Sequence, residues 1–246
     1  MAGRTALVTG ARRGIGAAIA AGYAAAGAEL ILMARDAALE DTLEAIKQSG
    51  GGAATVVIAD FADPAAVERA AAEIVDNRNV DILVNNAGTI RRAPAAETSS
   101  ADWQHVIDVN LNSTWAVTRP IGAAMAKRGQ GKIVTIASLL SFQGGITVPA
   151  YTASKHAVAG LTRALANEWG PAGVQVNAIA PGYISTGNTA VLQEDPDREA
   201  AIRQRIPAGR WGRPEDVVGA AVFLASSAAD YVNGHVLAVD GGWLAR

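Results

Sequence analysis

The chain has 246 residues, enough for one large α/β domain but too few for a dinucleotide domain with a separate substrate domain. It contains no cysteine, which excludes disulfides, thiolate metal sites and cysteine nucleophiles. Its formal net charge of −2, from 21 basic and 23 acidic residues, gives no electrostatic footprint for nucleic acid or an anionic membrane.

The opening residues, Met1 to Gly10, run straight into an apolar stretch without the charged-then-apolar layout of a secretion signal. The most apolar stretches, 16–34 and 217–229, are interrupted by Gly, Tyr and Glu or are too short to span a bilayer. A cytoplasmic, soluble protein without a membrane partner is expected. Strand-like runs fall at 5–8, 29–33, 54–59, 82–84, 133–136, 175–178 and 235–239, most of them continuous apolar runs of buried parallel strands. Helical periodicity falls between them at 15–26, 38–49, 64–76, 102–128, 151–170 and 214–226, with Pro64 and Pro214 placed as first-turn prolines. This alternation predicts βαβ units feeding a parallel sheet, with no repeat or composition break to mark a domain boundary. The segment 183–212 is irregular, rich in Gly, Pro and charge, and follows the end of a strand. Ligands bind at that edge of open α/β sheets, so it is a candidate substrate lid.

The first strand runs into Gly10-Ala11-Arg12-Arg13-Gly14-Ile15-Gly16 and then an alanine-rich helix. Glycines there let the backbone turn and approach a pyrophosphate, while the helix N-terminus offers N–H donors and a favourable dipole. The same glycines would serve a plain tight turn. Asp60-Phe61 after the third strand and Asn85-Asn86-Ala87-Gly88 after the fourth lie on the same carboxyl edge, where a dinucleotide would stretch across the sheet. At the end of the second strand, where a carboxylate usually meets the ribose of NAD, the chain has Ala34 and then Arg35. Arg35 with Arg13 could clamp a 2′-phosphate, which favours NADP(H). Asp36 is the residue that would serve NAD(H) instead.

Ser138 ends the fifth strand, and Tyr151 and Lys155 open the following helix at i,i+4 spacing, which puts them on one face. An ammonium beside a phenol favours phenolate, so Lys155 is expected to lower the Tyr151 pKa toward the range of a general acid and base. The three histidines, His105, His156 and His235, show no ligand spacing, and no metal is expected.

With these motifs together, the chain resembles the short-chain dehydrogenase/reductase family from end to end. The resemblance implies a single-domain Rossmann-type doubly wound parallel sheet of seven strands with helices on both faces, an NAD(P) cofactor and a homotetramer. It implies Ser138, Tyr151, Lys155 and Asn110 as the catalytic set, with Ser138 polarising the substrate oxygen and Tyr151 transferring its proton. Lys155 would hold the nicotinamide ribose, and Asn110 would position a water. It also implies that Pro181-Gly182, Ile184 and Thr186 border the nicotinamide.

Through Ser141–Pro149, Pro181–Thr189, Arg205–Gly212 and Asp240–Arg246, the second half resembles more closely those members that act on deoxy sugar acids of the 2-keto-3-deoxygluconate or 2-deoxygluconate type, a group usually described with NAD. Such a substrate calls for a cation and polar groups. Arg92 or Arg91, aided by Arg246 of a neighbouring subunit, would hold the carboxylate, with Leu140, Gln143 and Tyr183 beside the catalytic edge. A reductase of 3-oxoacyl thioesters or other ketones is the alternative, and an idle dinucleotide-binding module is a further one.

Overall fold

The computed structural model describes residues 1–246. Seven strands, β1 (Thr5–Thr9), β2 (Glu29–Ala34), β3 (Thr55–Ile58), β4 (Ile82–Asn85), β5 (Gly131–Ile136), β6 (Val174–Pro181) and β7 (Val236–Val239), form one sheet. Their order is β3-β2-β1-β4-β5-β6-β7, and every neighbouring pair is parallel. All seven expected strands are present, with ends shifted by a few residues. The order reverses between β1 and β4, and there the crossovers diverge and open a crevice at the carboxyl edge.

Successive side chains of a strand point to opposite faces, so the buried strands feed two cores. Ala6, Val8, Leu30, Leu32, Ile82, Val84 and Val134 pack on one face against α1 (Gly14–Ala25), α2 (Glu40–Gln48) and α9 (Glu215–Ala225). Leu7, Ile31, Met33, Leu83, Ile133 and Val176 pack on the other against α3 (Pro64–Asn77), α5 (Ser113–Arg128) and α6 (Pro149–Trp169). The edge strand β3 alternates instead, leaving Val56 and Ile58 exposed. No helix is long and apolar enough to cross a membrane.

Two expectations change. The helix expected over 102–128 is divided. After α4 (Ser100–Ile107), a wide π turn at Asp108–Asn112 precedes α5. The turn places Asn110 inward, at 1% exposure, where its side chain reaches beyond the helix rather than along it. Pro214 sits at the N-cap of α9 and not in its first turn, whereas Pro64 does open α3, whose first N–H groups are capped by Asp63. The irregular segment after β6 holds two short helices, α7 (Ala190–Glu194) and α8 (Pro196–Arg205), and is fastened at its base by a parallel bridge between Ile184 and Gly212.

Candidate active site

The strand ends on either side of the reversal are tied together. Thr9 Oγ1 accepts from the backbone N–H groups of Asn86 (3.0 Å) and Ala87 (3.1 Å), and Asn86 Nδ2 donates to the carbonyls of Thr9 and Gly10, each at 3.0 Å. This leaves no room for a side chain at Gly10 or Gly16: a Cβ on Gly16 would lie 2.4 Å from Asn86 Nδ2 and from the Gly10 carbonyl oxygen. Gly10 and Gly14 also have φ of +64° and +60°, a region that suits glycine. The N-cap of α1, Arg13, makes no side-chain cap, so the first N–H groups of the helix face the crevice free of any such partner. A bare turn in front of an uncapped helix end is the cradle a pyrophosphate needs, so these residues fit a dinucleotide.

At the end of β2, Arg12 Nη1 pairs with Asp36 Oδ2 at 2.8 Å, and Arg35 Nε lies 3.7 Å from the same oxygen. Arg13 turns the other way: a Cβ built on Gly187 would lie 3.4 Å from Arg13 Cζ. The cation beside Arg35 is therefore Arg12, not the expected Arg13, because alternate residues of the turn point to opposite sides. Asp36 is not free to meet a ribose, since both arginines flank it and its second oxygen accepts from Ala38 N–H at 3.2 Å. Asp60 is exposed at the end of β3, while Phe61 is buried and its carbonyl accepts from Ser113 Oγ at 2.7 Å.

Ser138 lies at the end of β5 in extended backbone, and its Oγ accepts from Leu140 N–H at 3.1 Å. Ser138 and Tyr151 border the same cleft, with the serine hydroxyl acting on the phenol. Lys155, one turn along α6, is buried. Its Nζ donates to the Ile136 carbonyl at 2.7 Å and lies 5.6 Å from the Tyr151 ring centre. Burial pushes the Tyr151 phenol above its ordinary value, opposed by the Ser138 hydrogen bond and by the Arg92 charge. The same burial that holds the phenol neutral pushes Lys155 itself down to about 8. Asn110 donates to the Thr89 carbonyl (3.0 Å) and to Ser154 Oγ (3.1 Å) and accepts from Thr89 N–H (2.8 Å). Both amide hydrogens are engaged, and the side chain braces the loop after β4 against α6.

Two clefts meet at this pair of hydroxyls. One, of about 130 Å³, brings together Ile15, Asn86, Gly88, Lys155, Pro181, Gly182, Ile184 and Thr186. The other, of about 670 Å³, is lined by Arg92, Leu140, Gln143 and Tyr183. Ser138, Tyr151, Pro181 and Gly182 border both. Arg91 is absent from the cleft wall and lies 3.7 Å from Asp102 instead, and Arg246 donates to the Gln204 carbonyl outside it. Sequence reasoning missed Arg205 and Trp243 as wall residues. The signal for the first was the i, i+4, i+7 series Arg198, Ile202, Arg205, which puts charge and an apolar anchor on one helix face.

A family model described as enoyl-(acyl carrier protein) reductase matches residues 10–244. The chain is 57% identical to the 2-dehydro-3-deoxy-D-gluconate 5-dehydrogenase of Bacillus subtilis (strain 168) over 244 residues, 99% of this chain and 96% of that protein. The crystal structure of a candidate NAD(P)-dependent gluconate 5-dehydrogenase from Beutenbergia cavernae, with NADP at low occupancy, matches with a TM-score of 0.97 and 58% identity. It covers 100% of this chain and 98% of the other. That of a candidate 2-deoxy-D-gluconate 3-dehydrogenase from Agrobacterium tumefaciens with bound NADP matches with a TM-score of 0.95 and 57% identity, over 100% and 98% of the two chains. With a parallel sheet, a glycine turn and a Ser-Tyr-Lys edge in common order, and with likeness over almost its whole length, the chain belongs to the short-chain dehydrogenase/reductase family of NAD(P)-dependent oxidoreductases.

Proposed function

We propose that this enzyme transfers a hydride between NADP(H) and a secondary alcohol or ketone of a small deoxy sugar acid, of the 2-keto-3-deoxygluconate or 2-deoxygluconate type, with NAD(H) as the weaker substitute. The observation that carries this reading is the meeting of two clefts at Ser138 and Tyr151, with Arg92, Gln143 and Tyr183 bordering the larger one. The relatives support it, because the Bacillus subtilis protein bears the name of such a dehydrogenase and the two structural neighbours hold NADP.

In this reading Gly10, Gly14, Ile15 and Gly16 receive the pyrophosphate at the N-terminus of α1, and Arg12 and Arg35 receive the 2′-phosphate. Asp60, Phe61, Asn86 and Ala87 border the adenine side, and Gly88, Pro181, Gly182, Ile184 and Thr186 border the nicotinamide side. The bound nicotinamide supplies or accepts the hydride. Ser138 hydrogen-bonds the substrate oxygen, and Tyr151 gives or takes its proton. Lys155 holds the ribose hydroxyls, and Asn110 keeps the loop after β4 in place beside it. Arg92 attracts the substrate carboxylate and keeps the Tyr151 phenol from rising further. The segment 183–212 serves as the lid, since it forms one wall of the larger cleft. A homotetramer working in the cytoplasm completes the reading, supported by Trp103 on α4 and Trp115 on α5, each 41% exposed on the protomer.

A reductase of 3-oxoacyl thioesters is the second reading, favoured by Leu140, Ile146, Val191 and Leu192 in the same cleft. Initial rates with 2-keto-3-deoxygluconate and with a 3-oxoacyl thioester, each at saturating cofactor, decide between them. A kcat/KM at least about tenfold higher for the sugar acid supports the first reading, and the reverse order supports the second.

A further inference from the structure

Helix α8 presents Arg198, Ala201, Ile202 and Arg205 to the larger cleft, the spacing that keeps residues on one face. Ile202 anchors that face in a small core with Leu139, Ile206, Trp211 and Trp243. Arg205 rests its guanidinium on the Trp243 ring, 4.0 Å from the ring centre. Trp243 is itself held by Tyr183, at 4.7 Å between ring centres, and its Nε1–H donates to Gln143 Oε1 at 3.4 Å. The arginine is thus seated on a wall that ends at the substrate face.

What these arginines lack is a partner. Neither Arg198 nor Arg205 has a carboxylate within 4.0 Å, and nor does Arg92 across the cleft. Arg203, on another face of α8, is paired with Glu199 at 2.9 Å. The one acid on the cleft wall is Asp195, whose Oδ1 already accepts from the backbone N–H groups of Asp197 and Arg198 at 3.1 Å each. The cleft therefore carries an excess of two positive charges, and all three arginines bear on the Tyr183 hydroxyl between them. A monocarboxylate would leave one of those charges unmatched.

We propose that Arg198 and Arg205 form a second anion subsite on the α8 wall of the cleft, so that the enzyme also takes polyhydroxy acids with a carboxylate at each end, one facing Arg92 and the other facing α8. This rests on the sugar-acid reading above and extends it to the aldarate class. The reaction is of the same kind. Once the Tyr151 phenol has lost its proton to solvent, a secondary alcohol of the chain gives its hydroxyl proton to the phenolate and its carbon-bound hydrogen, as hydride, to the oxidised nicotinamide. The products are the ketone, the reduced nicotinamide and a proton released to solvent.

Sorbitol, gluconate and glucarate share a six-carbon hydroxylated chain and carry no, one and two carboxylates. Calorimetric titration of each into the enzyme saturated with NADPH measures binding without turnover. Glucarate is expected to bind about tenfold more tightly than gluconate at low ionic strength, and Arg205→Gln to abolish that advantage while leaving gluconate ahead of sorbitol. Arg198→Gln, which disturbs no ring contact, is expected to do the same and guards against a collapsed wall in the first variant. Equal binding of glucarate and gluconate to the unmodified enzyme overturns the second subsite, as does equal weakening of both acids by the two variants. Equal binding of gluconate and sorbitol overturns the sugar-acid reading instead.

Discussion

A phenol enclosed beside a serine hydroxyl keeps its proton through neutral pH, which suits it to protonate a nascent alkoxide during ketone reduction. Tyr151→Phe removes that proton and is expected to lower kcat by about 10²–10⁴-fold with little change in cofactor binding, measured by initial rates and fluorescence titration. The pH dependence of reduction then belongs to Lys155, whose ammonium is present below about 8 and lost above it. Because the Tyr151 phenol lies higher, kcat/KM for reduction is expected to be level through neutral pH and to fall above about 8. Lys155→Arg should remove that alkaline limb, since arginine keeps its charge. At the end of β2, Arg35→Ala is expected to raise KM for NADP+ by about ten- to a hundredfold while leaving NAD+ within about twofold, the loss of a charge-assisted contact. Arg92→Ala is expected to raise KM for acids about tenfold and for neutral ketones hardly at all. At this scale the types and positions of the Ser, Tyr and Lys were legible because their spacing sets one helix face against one strand end. The directions of Arg12 and Arg13 were not legible. Neighbouring turn residues diverge, and only the backbone of the loop decides which one meets Arg35.

The elements act through the places where they cannot separate. Gly16→Ala would force a methyl to within 2.4 Å of Asn86 Nδ2 and of the Gly10 carbonyl, so strand ends and helix start would have to move apart. A loss of about 1–3 kcal/mol is expected, seen as a lower Tm, together with much weaker cofactor binding in a fluorescence titration. The strands and most helices could be read from the chain because buried parallel strands form unbroken apolar runs and the helices keep a 3.6-residue period. The π turn at Asp108–Asn112 could not, since apolar residues on either side continue the helical period and the cause of the widening is distant. Asn110 turns inward to bonds with Thr89 and Ser154, which are 21 and 44 residues away along the chain. The two helices of the 183–212 segment escaped for another reason. They are short, and half of α8 is charged, so it offers little apolar periodicity to read.

At the scale of the molecule, the reversal between β1 and β4 makes one crevice, and both halves of the chain must reach it. Residues 9–88 supply the glycine turn and its clamp, and residues 90–243 supply the hydroxyls and the second cleft. The parallel sheet was legible from alternation alone, and the helices on both its faces through the resemblance. Its strand order was not legible, because pairing between strands far apart in sequence leaves no local trace. Light scattering is expected to give four times the 25.1 kDa of the protomer, and a monomer in solution would remove the tetramer from the reading. The most direct measurement is the initial rate of nicotinamide absorbance change with 2-keto-3-deoxygluconate, using NADP+ and NAD+, in the unmodified enzyme and in Tyr151→Phe. Turnover that prefers NADP+ and is lost in the variant is the predicted result. No turnover with either cofactor while both bind, or a variant as fast as the unmodified enzyme, would contradict it.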